Sequence, residues 1–307
     1  MNILKVIRLA LILMALMFTV QAQVQNDDYY NNGVKLYKAR HYQEAIEAYK
    51  QALKLDPNDA DCYDALGSAY FRLGMYDQAG AAYEQAIRLK PDLARARYDL
   101  GTLYQTQGKY DQAVESYKEA FRLDPNLAEA PFALGSAYQD LGQHKEAIEA
   151  FKQAIKIKPD FSAAYLQLSE SYVLTGKRKE ATEILKQVIA IEPSLTEAYL
   201  SLGNLYLAIG QNEDALNAFT QLSQLKPNYI EAYIGMGMAY IKLGHHKEAL
   251  DTFKQALDVK PDSPEAHYGL GISYLYLGNR AAAIEEYKYL KMHSEKLADD
   301  LHKEIIR

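Results

Sequence analysis

The sequence contains no tryptophan and only one cysteine, Cys62. A single thiol cannot form an internal disulfide, so the fold must hold together without a covalent cross-link. We expect Cys62 to be a small packed or half-exposed residue rather than a reactive thiol. The seven histidines show no metal-ligand spacing, and the adjacent pair His245 and His246 falls at a predicted turn. No metal or other cofactor is therefore expected.

Catalytic motifs are also missing. Residues 235–237 (Gly-Met-Gly) and 269–271 (Gly-Leu-Gly) resemble the start of a dinucleotide fingerprint, but both lack the third glycine and the preceding strand. Carboxylates are plentiful, yet they lie at predicted helix starts and outer faces. None is predicted to pair with another in a buried pocket, as acid–base catalysis requires. We therefore predict a non-enzymatic protein, with no small-molecule substrate evident.

The longest apolar run near the N-terminus, Leu9–Val20, has twelve residues. That is fewer than the ~20 that span a bilayer as a helix. Lys5 and Arg8 precede the run, and residues 20–22 place small side chains at the spacing that a signal peptidase needs. The pattern predicts a secretory signal peptide at residues 1–22, with cleavage after Ala22. We expect an exported protein, periplasmic or secreted; the alternative is an inner-membrane anchor formed by residues 1–22.

The net negative charge of the chain limits the kinds of partner that it is expected to bind. The formal net charge is −6, and removal of residues 1–22 takes away Lys5 and Arg8 and no acid, which gives −8. Binding to nucleic-acid phosphates needs a basic stripe, so no nucleic-acid partner is expected. The modest net negative charge is typical of a surface that keeps a protein soluble, rather than of charges arranged to recognise a partner.

Few prolines occur, but seven of the nine stand 34 residues apart. They are Pro57, Pro91, Pro125, Pro159, Pro193, Pro227 and Pro261. Small residues recur with the same period in a first column: Gly33, Gly67, Gly101, Gly135, Ser169, Gly203, Gly237 and Gly271. A second column is Ala45, Ala79, Ala113, Ala147, Ala181, Ala215, Ala249 and Ala283. Such a fixed period is the signature of a stacked repeat array.

Two further columns predict how each unit folds. One is Arg40, Gly74, Gly108, Gly142, Gly176, Gly210, Gly244 and Gly278, between two helical patterns, where glycine ends a helix in the left-handed conformation. The other is mostly aromatic and fills the space that the small columns leave: Tyr49, Tyr83, Tyr117, Phe151, Leu185, Phe219, Phe253 and Tyr287. The residues directly after the prolines are predicted N-caps of the following helices: Asn58, Asp92, Asn126, Asp160, Ser194, Asn228 and Asp262.

Each unit is thus predicted to be helix, turn, helix, turn, and its columns resemble the tetratricopeptide repeat family. The resemblance covers residues 26–297 as eight units: 26–59, 60–93, 94–127, 128–161, 162–195, 196–229, 230–263 and 264–297. It implies an all-α, right-handed α-solenoid, or superhelix, of helix-turn-helix repeats. Residues 23–25 are then a linker. Residues 298–307 end an amphipathic C-terminal capping helix that carries Leu297, Leu301, Ile305 and Ile306.

Three units depart from the pattern. In the first, Asn32 stands where the column of Leu66, Leu100 and Leu134 is apolar, so this unit is expected to pack less well and to act as a cap. In the fifth, Ser169, Leu185 and Val188 replace the usual glycine, aromatic and alanine. In the eighth, Glu295 takes the place of the closing proline.

Places five, nine and twelve of each unit share one face of its first helix. The resemblance implies that this face lines a concave groove and meets ligands. Repeats five to eight are strongly apolar there, and exposed apolar surface suggests binding. The predicted partner-binding residues are Leu166, Val173, Leu200, Asn204, Leu207, Ile234, Met238, Ile241, Tyr268, Ile272 and Leu275. We expect them to hold an extended or helical segment of a partner protein, with Asn204 positioning its backbone and with Gly235 and Gly269 leaving room for close approach.

Two alternatives to this site stay open. Some of these apolar residues could instead pack against the next repeat. The second candidate site is the N-terminal half, where aromatic and basic side chains mix: Tyr30, Tyr37, Phe71, Tyr98, Lys38 and Arg72.

The predicted function is a protein-binding scaffold or adaptor of the cell envelope. A holdase that shields apolar segments of several clients is the alternative, and an enzyme is the less favoured one. Self-association through a solenoid end is a further possibility, although the amphipathic tail argues against it at the C-terminal end.

Overall fold

The computed structural model describes Met14 and residues 23–307. The predicted signal peptide therefore lies outside the described residues, apart from Met14. Over the described ranges all regular secondary structure is α-helical. None of the helices found there combines the length and apolar character needed to cross a membrane. The chain forms two compact units, which divide between Pro159 and Asp160.

The N-terminal unit contains the helices of the first four repeats. They are α1 (residues 23–38), α2 (Tyr42–Leu55), α3 (Ala60–Arg72), α4 (Tyr76–Leu89), α5 (Ala94–Thr106), α6 (Tyr110–Leu123), α7 (Glu129–Asp140) and α8 (His144–Ile157). Residues 23–25, expected to be a linker, are instead helical and belong to α1. From α2 to α8, each helix packs against the next along the chain.

The C-terminal unit, Asp160–Arg307, contains the other four repeats and one more helix. They are α9 (Ser162–Leu174), α10 (Arg178–Ile191), α11 (Thr196–Ala208), α12 (Asn212–Leu225), α13 (Ile230–Leu243), α14 (His246–Val259), α15 (Pro264–Tyr276), α16 (Arg280–His293) and α17 (Glu295–Ile306). Sequential helices pack together here as well, and the first helices of successive repeats, α11, α13 and α15, also touch. The all-α repeat fold predicted from the sequence is confirmed.

The turn inside each repeat uses left-handed backbone, as predicted. Gly74, Gly108, Gly142, Gly176, Gly210, Gly244 and Gly278 have φ between 71° and 80°. Glycine adopts this conformation at little cost because it has no Cβ. In the first repeat Arg40 takes the same conformation, with φ 65°. The repeat geometry is therefore imposed even where the residue type opposes it.

The N-cap prediction is wrong by two positions at α7, whose N-cap is Ala128, and by one position at the other first helices from α3 onward. Helix α3 begins at Ala60, and its N-cap is Asp59, whose side chain accepts a 2.9 Å hydrogen bond from the Cys62 N–H. Asn58 lies in the turn instead, where its N–H donates to Oδ1 of Asp56 at 3.0 Å. The proline and the residue after it both belong to the turn, so α3 starts one residue after the predicted position. Among the first helices from α3 onward, only Asp59 and Ser263 cap with a side chain.

The glycines of the first column, such as Gly67, leave room for an aromatic ring of the second helix of the repeat. A Cβ built on Gly67 would stand 2.7 Å from the Tyr83 ring, and Gly101 and Gly135 face Tyr117 and Phe151 in the same way. Repeat five departs at both positions together, with Ser169 and Leu185, which are both buried. A leucine side chain is smaller than a phenyl ring, so the serine Cβ can be tolerated opposite it. The two departures are one packing solution.

The last helix, α17, covers the end of the repeat array. Leu301 and Ile305 are buried in a cluster with Ile272, Ala283 and Leu290. A Cβ built on Gly271 would stand 2.5 Å from Leu301 rather than against an aromatic ring of α16. The capping helix begins at Glu295, inside the last three residues of the predicted eighth unit. It supplies the neighbour that a ninth repeat would otherwise provide.

Candidate partner-binding groove

The predicted partner-binding residues lie on the first helices of the C-terminal unit, α9, α11, α13 and α15; we call them the apolar stripe. Its members are Leu166, Val173, Leu200, Asn204, Leu207, Ile234, Met238, Ile241, Tyr268, Ile272 and Leu275. Val173 is 39% exposed and Asn204 is also exposed, whereas Ile272 is only 8% exposed. The other eight are half-buried. A largely apolar stripe that keeps part of its surface in water is available for contact.

The structure brings five members of the stripe around one cavity of about 660 Å³, the C-terminal cavity. They are Met238 and Ile241 from α13 and Tyr268, Ile272 and Leu275 from α15. This volume falls within the ~300–1,000 Å³ that is usual for binding sites of small groups. The remaining members, Leu166, Val173, Leu200, Asn204, Leu207 and Ile234, lie outside the lining of this cavity.

The cavity wall also contains residues that the sequence did not predict. Gly278 lies in the turn before α16, and Arg280 is the first residue of α16. Glu304 and Ile305 lie in the last turn of α17, and Arg307 follows it directly. A signal for them was present, since Ile305 stands one period after Gly271. A capping helix in the register of a ninth repeat must lie beside the first helix of the eighth. The amphipathic pattern of α17 predicts only a cap, because its place in the cavity wall depends on how it packs beside α15.

The predicted role of Gly235 and Gly269 as space for a partner is wrong. Both are buried and face inward. A Cβ on Gly235 would stand 2.5 Å from the Phe219 ring, and a Cβ on Gly269 would collide with the Phe253 ring. These rings already fill the space between successive repeats. Both glycines thus pack against a ring of the preceding repeat. The alternative that stripe residues pack against the following element holds for Ile272, which is buried in a cluster with Leu301 and Ile305 of α17.

The N-terminal unit contains a smaller cavity of about 260 Å³, the N-terminal cavity. Four of the six residues of the second candidate site line it: Tyr37, Phe71, Arg72 and Tyr98. Tyr30 packs against Tyr49 instead, with ring centroids 5.9 Å apart, and Lys38 is exposed outside the lining. Arg72 Nε donates to the Tyr37 hydroxyl at 3.1 Å, so this wall is held by hydrogen bonds as well as by packing.

Carboxylates near this cavity were not predicted to be buried. Asp99 is 12% exposed and accepts a 3.0 Å hydrogen bond from Arg95 Nε. Asp64 Oδ1 is buried without a hydrogen-bond partner among the described residues. Burial, reinforced by the charge of Asp99, raises the pKa of Asp64 to about 7. The pKa of Asp64 is raised because burial removes the water that would stabilise its charge, and the positive charge of Arg95 does not fully offset this burial and the negative charge of Asp99.

Other candidate chemistry is limited over residues 23–307. Cys62 is fully buried, and burial raises the pKa of its thiol to about 12, which fits the packed residue that we expected. In the described part of the chain, no group of three or more His, Cys, Asp or Glu side chains could hold a metal ion. His246 stacks on Tyr276, with centroids 4.4 Å apart, rather than pairing with His245.

Comparison with known families gives a consistent result. A model described as TPR repeat matches residues 33–74, 67–108, 203–244 and 237–278. Two models described as tetratricopeptide repeat match residues 98–162 and 138–205. Together the matches run without a gap over residues 33–278. The chain belongs to the tetratricopeptide repeat family.

Solved structures agree with this fold. MamA protein is 30% identical, with a TM-score of 0.52 over 55% of this chain and 92% of that one. The C-terminal part of a TPR repeat-containing protein from Cytophaga hutchinsonii is 18% identical, with a TM-score of 0.69 over 78% and 99%. YrrB, a TPR protein with an unusual peptide-binding site, is 23% identical, with a TM-score of 0.53 over 61% and 96%. Comparison with curated proteins gives no match.

TPR proteins generally mediate protein–protein interaction by binding proteins or peptides. Their repeat fold is typical of non-catalytic interaction scaffolds.

Proposed function

We propose that this protein is a non-enzymatic scaffold of the cell envelope that binds a segment of a partner protein through the apolar stripe. The observation that carries the proposal is the C-terminal cavity, where Met238, Ile241, Tyr268 and Leu275 converge while remaining half-exposed. Covering apolar surface contributes about 25 cal/mol per Å². One bulky side chain of a partner, seated in the cavity, would therefore provide a strong anchor.

The rest of the stripe extends this anchor along the unit. Leu200, Leu207 and Ile234 are half-buried on α11 and α13 and offer further apolar contact. Asn204 is exposed between them, and its amide can both donate to and accept from a peptide backbone. A partner segment lying along the stripe would satisfy both kinds of contact. No bond is made or broken in this mechanism.

The proposed location rests on the N-terminal sequence. Lys5 and Arg8, the apolar run Leu9–Val20 and the small residues at 20–22 support export followed by cleavage after Ala22. The test is to express the whole chain in a bacterium and to determine the N-terminal sequence of the protein recovered from the periplasm. A mature protein that begins at Gln23 supports the proposal. An uncleaved chain in the membrane fraction would support the anchored alternative instead.

Partner binding is tested by capture from an envelope extract, with the purified chain as bait. Leu275→Glu places a charge in the cavity wall, and Tyr276→Glu does so at a residue that is 60% exposed and can be changed without opening the core. Met292→Glu is the matched control, since Met292 is 76% exposed and lies on α16 outside the cavity. Circular dichroism checks that all three variants keep their helicity.

We expect one partner, at fixed stoichiometry, to be held by the wild type and the Met292 variant and lost by both cavity variants. Equal capture by all four proteins would remove the C-terminal cavity from consideration and direct attention to the N-terminal cavity. Capture of many unfolded clients, together with suppression of their aggregation, would favour the holdase.

A further inference from the structure

The edge of the C-terminal cavity is basic. Arg280 lines the cavity and is exposed, and the described residues offer it no ion-pair partner. Lys242 is also exposed without an ion-pair partner in the described chain; it follows Met238 by four residues, so it shares that face of α13. Arg307 is different, because its Nη1 donates to Oε1 of Glu304 at 2.7 Å and its charge is met within the protein.

The acidic side chains at the N-terminal ends of α13 and α15 lie away from these two cations. Glu231 is the second residue of α13 and Glu265 the second residue of α15, whereas Lys242 and Arg280 stand at or just beyond the ends of these helices. Eleven residues of helix separate Glu231 from Lys242, a distance of roughly 16 Å at 1.5 Å per residue. At that range, across water and salt, exposed charges are largely screened. The two cations are therefore not neutralised by these acids.

We propose that the occupant of the C-terminal cavity is a partner segment that carries an acidic residue next to its bulky apolar anchor. The apolar side chain fills the space between Ile241, Tyr268 and Leu275, and the carboxylate meets Arg280 at the edge. Guanidinium suits this role because its planar array of N–H donors matches a carboxylate. The inference rests on the proposed function and adds the chemistry of the partner to it.

The experiment uses a random dodecapeptide library displayed on phage, selected on the whole wild-type protein and on two variants. Arg280→Glu reverses the charge at the cavity edge. Lys247→Glu makes the same net charge change on α14, at an exposed residue outside the cavity lining. One enriched peptide is then synthesised with its acidic residue as Glu, Gln or Lys, and its affinity for each protein is measured by fluorescence anisotropy.

We expect wild type and the Lys247 variant to enrich peptides with Leu, Ile or Phe beside Asp or Glu. The Arg280 variant should bind the Glu peptide about threefold to fivefold more weakly and should recover affinity with the Lys peptide. Apolar peptides enriched without any charge preference, and bound equally by all three proteins, would overturn the inference and leave the proposed function standing. The cavity variant Leu275→Glu is measured in the same anisotropy assay as a fourth protein. If the selected peptides still bind this variant, or if no peptide is enriched, both the inference and the proposed function fail.

Discussion

The ring of Phe219 occupies the place that a side chain at Gly235 would need. A Cβ built on Gly235 would stand 2.5 Å from Cε1 and Cζ of that ring. The same ring also faces Gly203 of its own repeat, where a Cβ would stand 2.7 Å away. Phe219 is fully buried between two first helices, so neither the ring nor the helices can move aside freely.

Gly235→Ala should therefore destabilise the protein by about 1–3 kcal/mol through overpacking. The measurement is urea denaturation followed by circular dichroism. Gly80→Ala is the matched control, because Gly80 also lies inside a helix, α4, where a Cβ would meet only the Leu103 Cδ2 atom at 3.3 Å. There the gain in helix propensity should leave stability unchanged or raise it by up to about 1 kcal/mol. Equal effects at both sites would contradict the packing account.

Arg40→Gly should stabilise the first repeat. Arg40 holds φ at 65°, a conformation that costs a non-glycine residue roughly 1 kcal/mol and that glycine adopts freely. The Arg40 side chain is exposed, so little contact is lost with it. We expect a gain of about 0.5–1 kcal/mol, measured as a higher thermal midpoint. The reverse change in the second repeat, Gly74→Arg, should cost a similar amount; a loss at both positions would disprove the conformational explanation.

Asp64→Asn should change how stability depends on pH. The pKa of Asp64 is raised to about 7 in the folded protein from an ordinary value of 3.8, so the folded state binds more protons between these values. The contribution of Asp64 to stability is then fully present below about pH 4 and is lost as the pH rises through the folded pKa. Asn cannot ionise, so the variant should gain about 1–3 kcal/mol over wild type at pH 8 and little at pH 4.

The comparison for that experiment is Asp92→Asn, at an exposed turn residue. It removes an exposed carboxylate and should change stability only slightly. A difference between wild type and the Asp64 variant that does not vary with pH would show that burial does not control this carboxylate.

Leu185→Phe should destabilise repeat five, although all of the remaining repeats have an aromatic residue in the same column. Leu185 and Ser169 are both buried, and they stand in the columns where Phe151 and Gly135 face each other in repeat four. We therefore expect the Ser169 Cβ to press on a ring at position 185. We expect a loss of about 1–3 kcal/mol for Leu185→Phe alone. Adding Ser169→Gly should recover most of it, and thermal unfolding of both single variants and the double variant measures the coupling. Additive effects would show that the two positions are independent.

The period of the sequence was enough to predict the repeat architecture. Each recurring column meets a local need: the turn glycines adopt positive φ, and the small residues make room for the rings of the paired helix. Both requirements involve contacts within one repeat or with the adjacent repeat. The same residue types therefore recur every 34 residues, and that recurrence is enough to predict the repeat fold. The predicted helix starts are early by one residue, and by two at α7, because the proline pattern does not reveal that the residue after the proline, such as Asn58, belongs to the turn.

The cavity could be predicted only in part. Spacing placed Met238, Ile241, Tyr268 and Leu275 on one helix face, because a helical period is a property of the chain itself. Glu304 and Ile305 join them only because α17 packs beside α15, and Arg280 joins them because α16 folds back against α15. Asp64 comes near Asp99 only because α3 touches α5. The sequence by itself determined the repeat, its turns and the apolar face. The tertiary structure decided which faces stay open and which charges surround them, since both depend on how the helices of neighbouring repeats pack against one another.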